Sequence, residues 1–176
     1  MSLAARLQLM KRIAEAGGIA FNPPLKATTV VERLARHEMT LTPEIGALFE
    51  VCDGADLGGC VSLVSLENYI STKKCLEELA CEIEEEEWGR PYIPFAHFNA
   101  DLILCYAPED FGVYTLDVEC SYIVKVAPSL ELFISALESA LMEGGVEIGE
   151  YGIPNLPGWS KEAKQYGIKE VWNTGG

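Results

Sequence analysis

Residues 101–127 read DLILCYAPEDFGVYTLDVECSYIVKVA, and their patterning predicts three strands joined by short turns. Asp101–Tyr106 is apolar on both faces, as expected of a central strand covered on each side. Pro108-Glu109-Asp110 supplies a turn, and Gly112 leads into Val113–Val118. There Tyr114, Leu116 and Val118 alternate with Thr115 and Asp117, the period of two that marks a strand. Glu119-Cys120-Ser121 forms the second turn, and Tyr122–Ala127 alternates again. Connections this short join antiparallel neighbours only, so the stretch predicts a three-stranded meander.

Helical signals lie on either side of it. Upstream, Thr42 is a cap, Pro43 sits in the first turn, and Ile45, Leu48, Phe49 and Cys52 form a stripe that Asp53-Gly54 ends. Ser2 caps an earlier helix whose Leu3, Leu7, Met10 and Ala14 share a face, stopped by Gly17-Gly18. Phe21-Asn22-Pro23-Pro24 is an extended connection. Thr29-Val30-Val31-Glu32 reads as a capping box that starts a second helix. The run Ala55-Asp56-Leu57-Gly58-Gly59 reads as a loop before a short strand, Cys60–Val64. Ser65 opens a helix with Leu76, Leu79, Ala80 and Ile83 on one face; Glu77, Glu78, Glu82 and Glu84–Glu87 make the rest acidic. Downstream of the meander, Ser129 caps a helix carrying Leu130, Phe133, Ala136, Leu137 and Leu141, which Gly144-Gly145 ends. Residues 146–176 read as an irregular wrap with one helical turn after Ser160.

Together these signals predict an α+β fold, helices packed on a mainly antiparallel sheet within a single domain. An N-terminal helix and linker occupy 1–24, the α+β unit 25–142 and a C-terminal wrap 143–176. A chain of 176 residues buries about 70% of its unfolded surface and needs no disulfide or metal to fold.

Charge narrows the classes of function. The net charge is −14, and residues 41–119 alone carry 17 acidic and three basic side chains. Such a surface repels nucleic acid and anionic lipid, which are recognised through Lys and Arg clusters, and it attracts basic partners. No apolar run reaches the length of a membrane span. The opening MSLAARLQLMKRIAEAGG lacks the apolar core of a signal peptide. A cytoplasmic location with six free cysteines is the expectation, most of the thiols serving as small core residues.

Catalytic and metal chemistry find little purchase. The only histidines are His37, on the charged side of a helix, and His97, in a turn before a strand, and no Cys-x-x-Cys pair occurs. A Cys–His nucleophile is conceivable between His97 and Cys105 or Cys120, but an apolar strand buries Cys105 and leaves it inert. The glycines of 54–59 lack the Lys-Ser/Thr of a phosphate loop. Carboxylates are too abundant to single out an acid–base pair. The expectation is no enzyme, no metal and no cofactor. Loops and strand ends are where a rigid scaffold presents contacts, which makes Asp53, Asp56, Asn99, Asp101, Glu109 and Asp110 the candidate partner-binding residues. Taken singly, each is first of all a cap or turn residue.

The order of these motifs resembles the SUKH superfamily, named partly for the yeast cell-wall glucan-synthesis regulator (Smi/Knr type). The likeness runs from Leu41-x-Pro43 through Phe49-x-x-Cys52-Asp53-Gly54 and Ser65-Leu66-Glu67 to Ile93-Pro94-Phe95. It continues with a strand from Asp101, Gly112-Val113-Tyr114, and Val126-Ala127-x-Ser129-Leu130-x-x-Phe133. It covers residues 25–142, about two-thirds of the chain. Asp53-Gly54-Ala55 stands where the family usually has Asn-Gly-Gly, and Ala100-Asp101 where it usually has Gly-Asp. The resemblance implies a non-enzymatic protein-binding domain. Bacterial members are commonly immunity proteins that neutralise a cognate toxin, often a nuclease, and fungal members regulate cell-wall synthesis through protein contacts. The expected function is therefore toxin neutralisation, with a regulatory adaptor of cell-wall synthesis or signalling as the alternative.

Overall fold

Residues 102–127 form their three strands as the alternation requires. Leu102–Tyr106, Val113–Asp117 and Tyr122–Ala127 pair antiparallel through Leu104↔Thr115↔Val124 and Ile103↔Leu116↔Ile123. A computed structural model of the chain describes residues 2–58, 61–83, 86–98, 102–145, 147–148 and 154–169. In it these strands are the second half of a six-stranded antiparallel sheet that runs in chain order: β1 (Ala55–Gly58), β2 (Val61–Leu63), β3 (Ile93–Phe98), β4 (Leu102–Tyr106), β5 (Val113–Asp117) and β6 (Tyr122–Ala127). Around it lie α1 (Leu3–Ala16), α2 (Ala27–Ala35), α3 (Pro43–Val51), α4 (Leu66–Glu82), α5 (Leu130–Gly144) and α6 (Trp159–Gln165), with a 3-10 turn at Glu86–Gly89. A small hairpin joins β7 (Glu147–Ile148) to β8 (Pro154–Asn155). The architecture is α+β, helices on an antiparallel sheet.

The period of two divides the sheet into two covered faces. One buries Leu104, Tyr106, Val113 and Val126 against Leu7 and Met10 of α1, Ile45 and Phe49 of α3, and Phe133, Ile134 and Leu137 of α5. α6 packs on α5, and its Trp159 belongs to the same core, so both ends of the described chain are built into it. The other face buries Ile103, Cys105, Tyr114 and Leu116 beneath Leu76 of α4, Trp88 and Tyr92. Thr115, on the polar side of its strand, is fully buried. Coverage on both faces explains the unbroken apolar run of β4.

Local chemistry sets most helix starts. Ser2, Thr42, Ser65 and Ser129 each accept a hydrogen bond from the backbone N–H three residues on. α2 departs from the expectation. It begins at Ala27, with Lys26 at the N-cap and no side-chain cap, so Thr29 and Glu32 lie inside the helix. Its start is anchored instead from outside, where Leu25 N–H donates to the Phe49 carbonyl at 3.1 Å.

Five further expectations are corrected. Residues 55–58 are a strand and not a loop, paired through Ala55↔Leu63 and Asp56↔Ser62; β2 starts at Val61, and Cys60 lies outside the described residues. Burial of Leu57 and pairing to a strand that itself pairs with β3 supply what the weak local pattern lacks. His97 lies within β3 and not in a turn, because its register partners Ser62 and Ile103 hold both sides. His37 is exposed in the turn after α2, where its N–H donates to the Leu34 carbonyl. Among the described thiols Cys52 and Cys105 are buried, but Cys75, Cys81 and Cys120 are exposed. The tail helix starts at Trp159, drawn in by the burial of that ring; Trp172 lies outside the described residues.

Gly54 is the junction on which α3, β1 and α4 turn. Its φ of +90° lies in the left-handed region, and a Cβ there would stand 3.1 Å from the Ser65 nitrogen and 3.2 Å from the Leu63 oxygen. Both are backbone atoms and cannot step aside. Gly54→Ala should therefore cost about 2–3 kcal/mol, against about 1 kcal/mol for Gly167→Ala, where φ is +70° but the space is open. Urea unfolding of the two variants checks this; equal losses would show that the crowding at Gly54 is relieved.

Candidate partner-binding surface

A network of hydrogen bonds braces the β4–β5 turn. Ala107 N–H donates to the Gly112 carbonyl at 2.9 Å, closing the turn. Asp110 holds it from within. Its Oδ1 accepts from Gly112 N–H at 3.0 Å, and its Oδ2 accepts from the Tyr114 hydroxyl at 2.5 Å and from Lys125 Nζ at 2.8 Å. Arg90 Nη1 in turn donates to the Tyr114 oxygen at 3.2 Å, and the Arg90 and Lys125 cations lie 5.9 and 5.6 Å from the Tyr114 ring centre. Tyr92 meets that ring edge-on at 5.4 Å. A Cβ at Gly112 would come within 2.5 Å of Lys125 Cε, so glycine here leaves the path by which Lys125 reaches Asp110.

These bonds set the ionisation of Asp110. Partial burial raises its pKa, but the bonds from Lys125, Tyr114 and Gly112 together outweigh this and bring it down to about 2. A carboxyl depressed in the folded state stabilises above its ordinary value of 3.8 and loses that contribution as pH falls through about 2. Because Asp110 is about one-third exposed, solvent screening limits the Lys125 pair to about 1 kcal/mol or less. Asp110→Asn should thus be less stable than the parent at pH 7. The gap should narrow between pH 4 and pH 2 and close below that, as read from urea midpoints. A gap that persists at pH 1.5 would assign the effect to something other than the charge.

Phe111 sits between these braces. Its φ is +59°, and it is 64% exposed. The other described non-glycine residues with positive φ, Glu38 and Ser121, are polar turn residues. A bulky aromatic in this conformation costs about 1–2 kcal/mol, and its ring gains little from burial. Folding alone does not account for such a residue, and strain of this kind collects where a contact is made.

Two grooves lie on opposite faces of the sheet, and Phe111 lines the first. On the side of the main core, Leu3, Tyr106, Phe111 and Leu130 with Glu44, Ser129 and Glu131 line one of about 390 Å³. On the side of α4, Lys73, Leu76, Trp88, Arg90, Tyr92 and Leu116 line another of about 300 Å³. Glu44 and Glu131 are first-turn residues of α3 and α5, and burial, with the Glu44 charge next, raises the pKa of the Tyr106 hydroxyl.

No protein-family model matches the chain, and no curated protein matches it.

Of the residues singled out in the sequence, the fold brings Glu109 and Asp110 together in the β4–β5 turn; Glu109 is exposed, and Asp110 is occupied as its brace. Asp53 is a structural clamp just before β1, an edge strand of the sheet. Its Oδ1 accepts from Leu66 N–H at 2.6 Å at the start of α4, and its carbonyl accepts from Asn22 Nδ2 at 2.9 Å. Asp56 is a strand residue of β1. Asn99 and Asp101 lie outside the described residues. Of the four described, Asp53 and Asp56 lie at β1, and Glu109 and Asp110 lie in the β4–β5 turn. Phe111, Tyr106, Glu44 and Glu131 were not singled out. The one local signal was a large aromatic between a turn Asp and a Gly, in Asp110-Phe111-Gly112.

Cys52, Cys105 and Cys120 are poorly placed for nucleophilic work. Burial pushes the Cys105 and Cys52 thiols up, and Asp117, ahead of partial burial, pushes up Cys120 in the β5–β6 turn. His97 is lowered by burial, and its Nε2 is 3.5 Å from Thr72 Oγ1 on α4. Among the described residues no three His, Cys, Asp or Glu side chains gather as a metal site would, and no helix is long and apolar enough to cross a membrane.

Proposed function

We propose that this chain is a non-enzymatic protein-binding domain that acts in the cytoplasm and neutralises a basic toxin domain, in the manner of an immunity protein. Phe111 carries the reading: an exposed aromatic, strained in the folded chain and fixed by Asp110, is the anchor a recognition surface needs. The surplus of carboxylates in 41–119 supports a basic partner, because carboxylates occupy a site built for phosphates. The SUKH-like order of motifs supports the same class.

Co-expression with a nuclease toxin encoded beside it should restore growth. The complex should weaken several-fold as salt rises from about 0.01 M, where the Debye length is about 30 Å, to about 1 M, where it is about 3 Å. Failure to restore growth by a folded, expressed chain removes toxin neutralisation; a complex indifferent to salt removes the electrostatic part.

A further inference from the structure

We infer that the groove beside Phe111 seats an arginine side chain of the partner, its guanidinium between the carboxylates of Glu44 and Glu131 and its stem against Tyr106, Leu130 and Phe111. The inference rests on the protein-binding reading and specifies what the partner must present.

The groove is apolar at its floor and acidic at its rim. Tyr106 and Leu130 are buried, Leu3 is half-buried, and Phe111 stands beside them as an exposed wall. At about 390 Å³ it is of the size that takes side chains or small ligands. Among the described residues, neither Glu44 nor Glu131 has a cation of this chain within ion-pair reach, whereas Asp110, Glu67, Glu138 and Glu143 each have one. Nor is either carboxylate needed as a cap. Thr42 already accepts from Ile45 N–H at the start of α3, and Ser129 from Leu132 N–H at the start of α5.

That arrangement selects its occupant by elimination. An anion is repelled by both carboxylates. A purely apolar side chain fits the floor but gives neither rim carboxylate a partner. Lysine offers a compact, strongly hydrated charge with no flat face. Arginine has a planar fork that donates to two carboxylates and stacks on aromatic rings, and its apolar stem matches the floor.

The test uses the full chain, labelled with 15N, and two blocked pentapeptides, Gly-Leu-Arg-Leu-Gly and the same sequence with citrulline, which keeps the shape and loses the charge. The arginine peptide should shift the amides of Tyr106, Phe111, Gly112 and Glu131 saturably, and bind about five- to tenfold more tightly than the citrulline peptide. Glu44→Gln with Glu131→Gln, shown to be folded by a thermal melt, should bring the arginine peptide down to the citrulline level. Shifts elsewhere, equal affinities, no saturation, or sedimentation showing the groove closed by a second copy each overturn the inference. A toxin partner bound equally well by the double variant also overturns it but leaves the protein-binding reading standing. If the chain binds no protein partner, that reading fails, and the peptide titration still decides the chemistry of the groove.

Discussion

Phe133→Ala should cost about 3–5 kcal/mol, the largest loss of stability expected from a single side chain here. Phe133 is completely buried on α5. Its ring meets Phe95 of β3 at 5.6 Å and 76°, and Trp159 of α6 at 5.6 Å and 63°, both edge to face. One ring thus joins the sheet, the helix that covers it and the helix outside that. Truncation removes the transfer energy of the ring, leaves a cavity between three elements and forfeits two aromatic contacts worth about 0.5–1.5 kcal/mol each, part of which the total already includes. For a chain of this size each kcal/mol lowers Tm by about 2–4 °C, so a fall of roughly 6–20 °C is expected in calorimetry. Phe133→Leu, which keeps most of the volume, should lose only about 1–2 kcal/mol. A loss below about 1 kcal/mol for the alanine variant would mean that α6 does not depend on this ring.

The second large effect has the opposite sign for stability. Phe111→Gly should leave the fold unchanged or up to about 1 kcal/mol more stable, while partner affinity falls about 30-fold or more. Glycine accepts a φ of +59° without the steric penalty, a relief of about 1–2 kcal/mol, offset in part by the greater freedom of glycine in the unfolded chain. The ring is 64% exposed, so its removal takes little burial from the core. Phe111→Ala separates the two contributions: it keeps the strained backbone and loses the ring, so binding should fall as in the glycine variant with no gain in stability. Melts and affinity measurements on both variants check this. A glycine variant destabilised by more than about 1 kcal/mol would make Phe111 a structural residue, and one that binds normally would place the contact surface elsewhere.

The difference between the two residues reflects how each was visible. Phe133 falls on the apolar stripe of a helix announced by Ser129, and its burial follows from spacing alone. Phe111 was legible only as part of a turn. Nothing in Asp110-Phe111-Gly112 says that the backbone adopts a positive φ or that the ring stays out of the core. Likewise Asp53 could be read as a loop carboxylate available to a partner until its bond to Leu66, 13 residues on, showed where its oxygen is spent.

By itself, then, the amino-acid order determined the caps at Ser2, Thr42, Ser65 and Ser129, the three strands of residues 102–127 and the excess of negative charge. Each of these depends on neighbours a few residues apart, or on composition. The tertiary structure decided that residues 55–58 are a strand, that His97 lies under α4, and that Leu3, Glu44, Tyr106, Phe111 and Glu131 share one groove. Those outcomes come from pairing and packing between segments far apart in the chain, whose energies belong to the assembled fold and leave no periodic mark on any one of them.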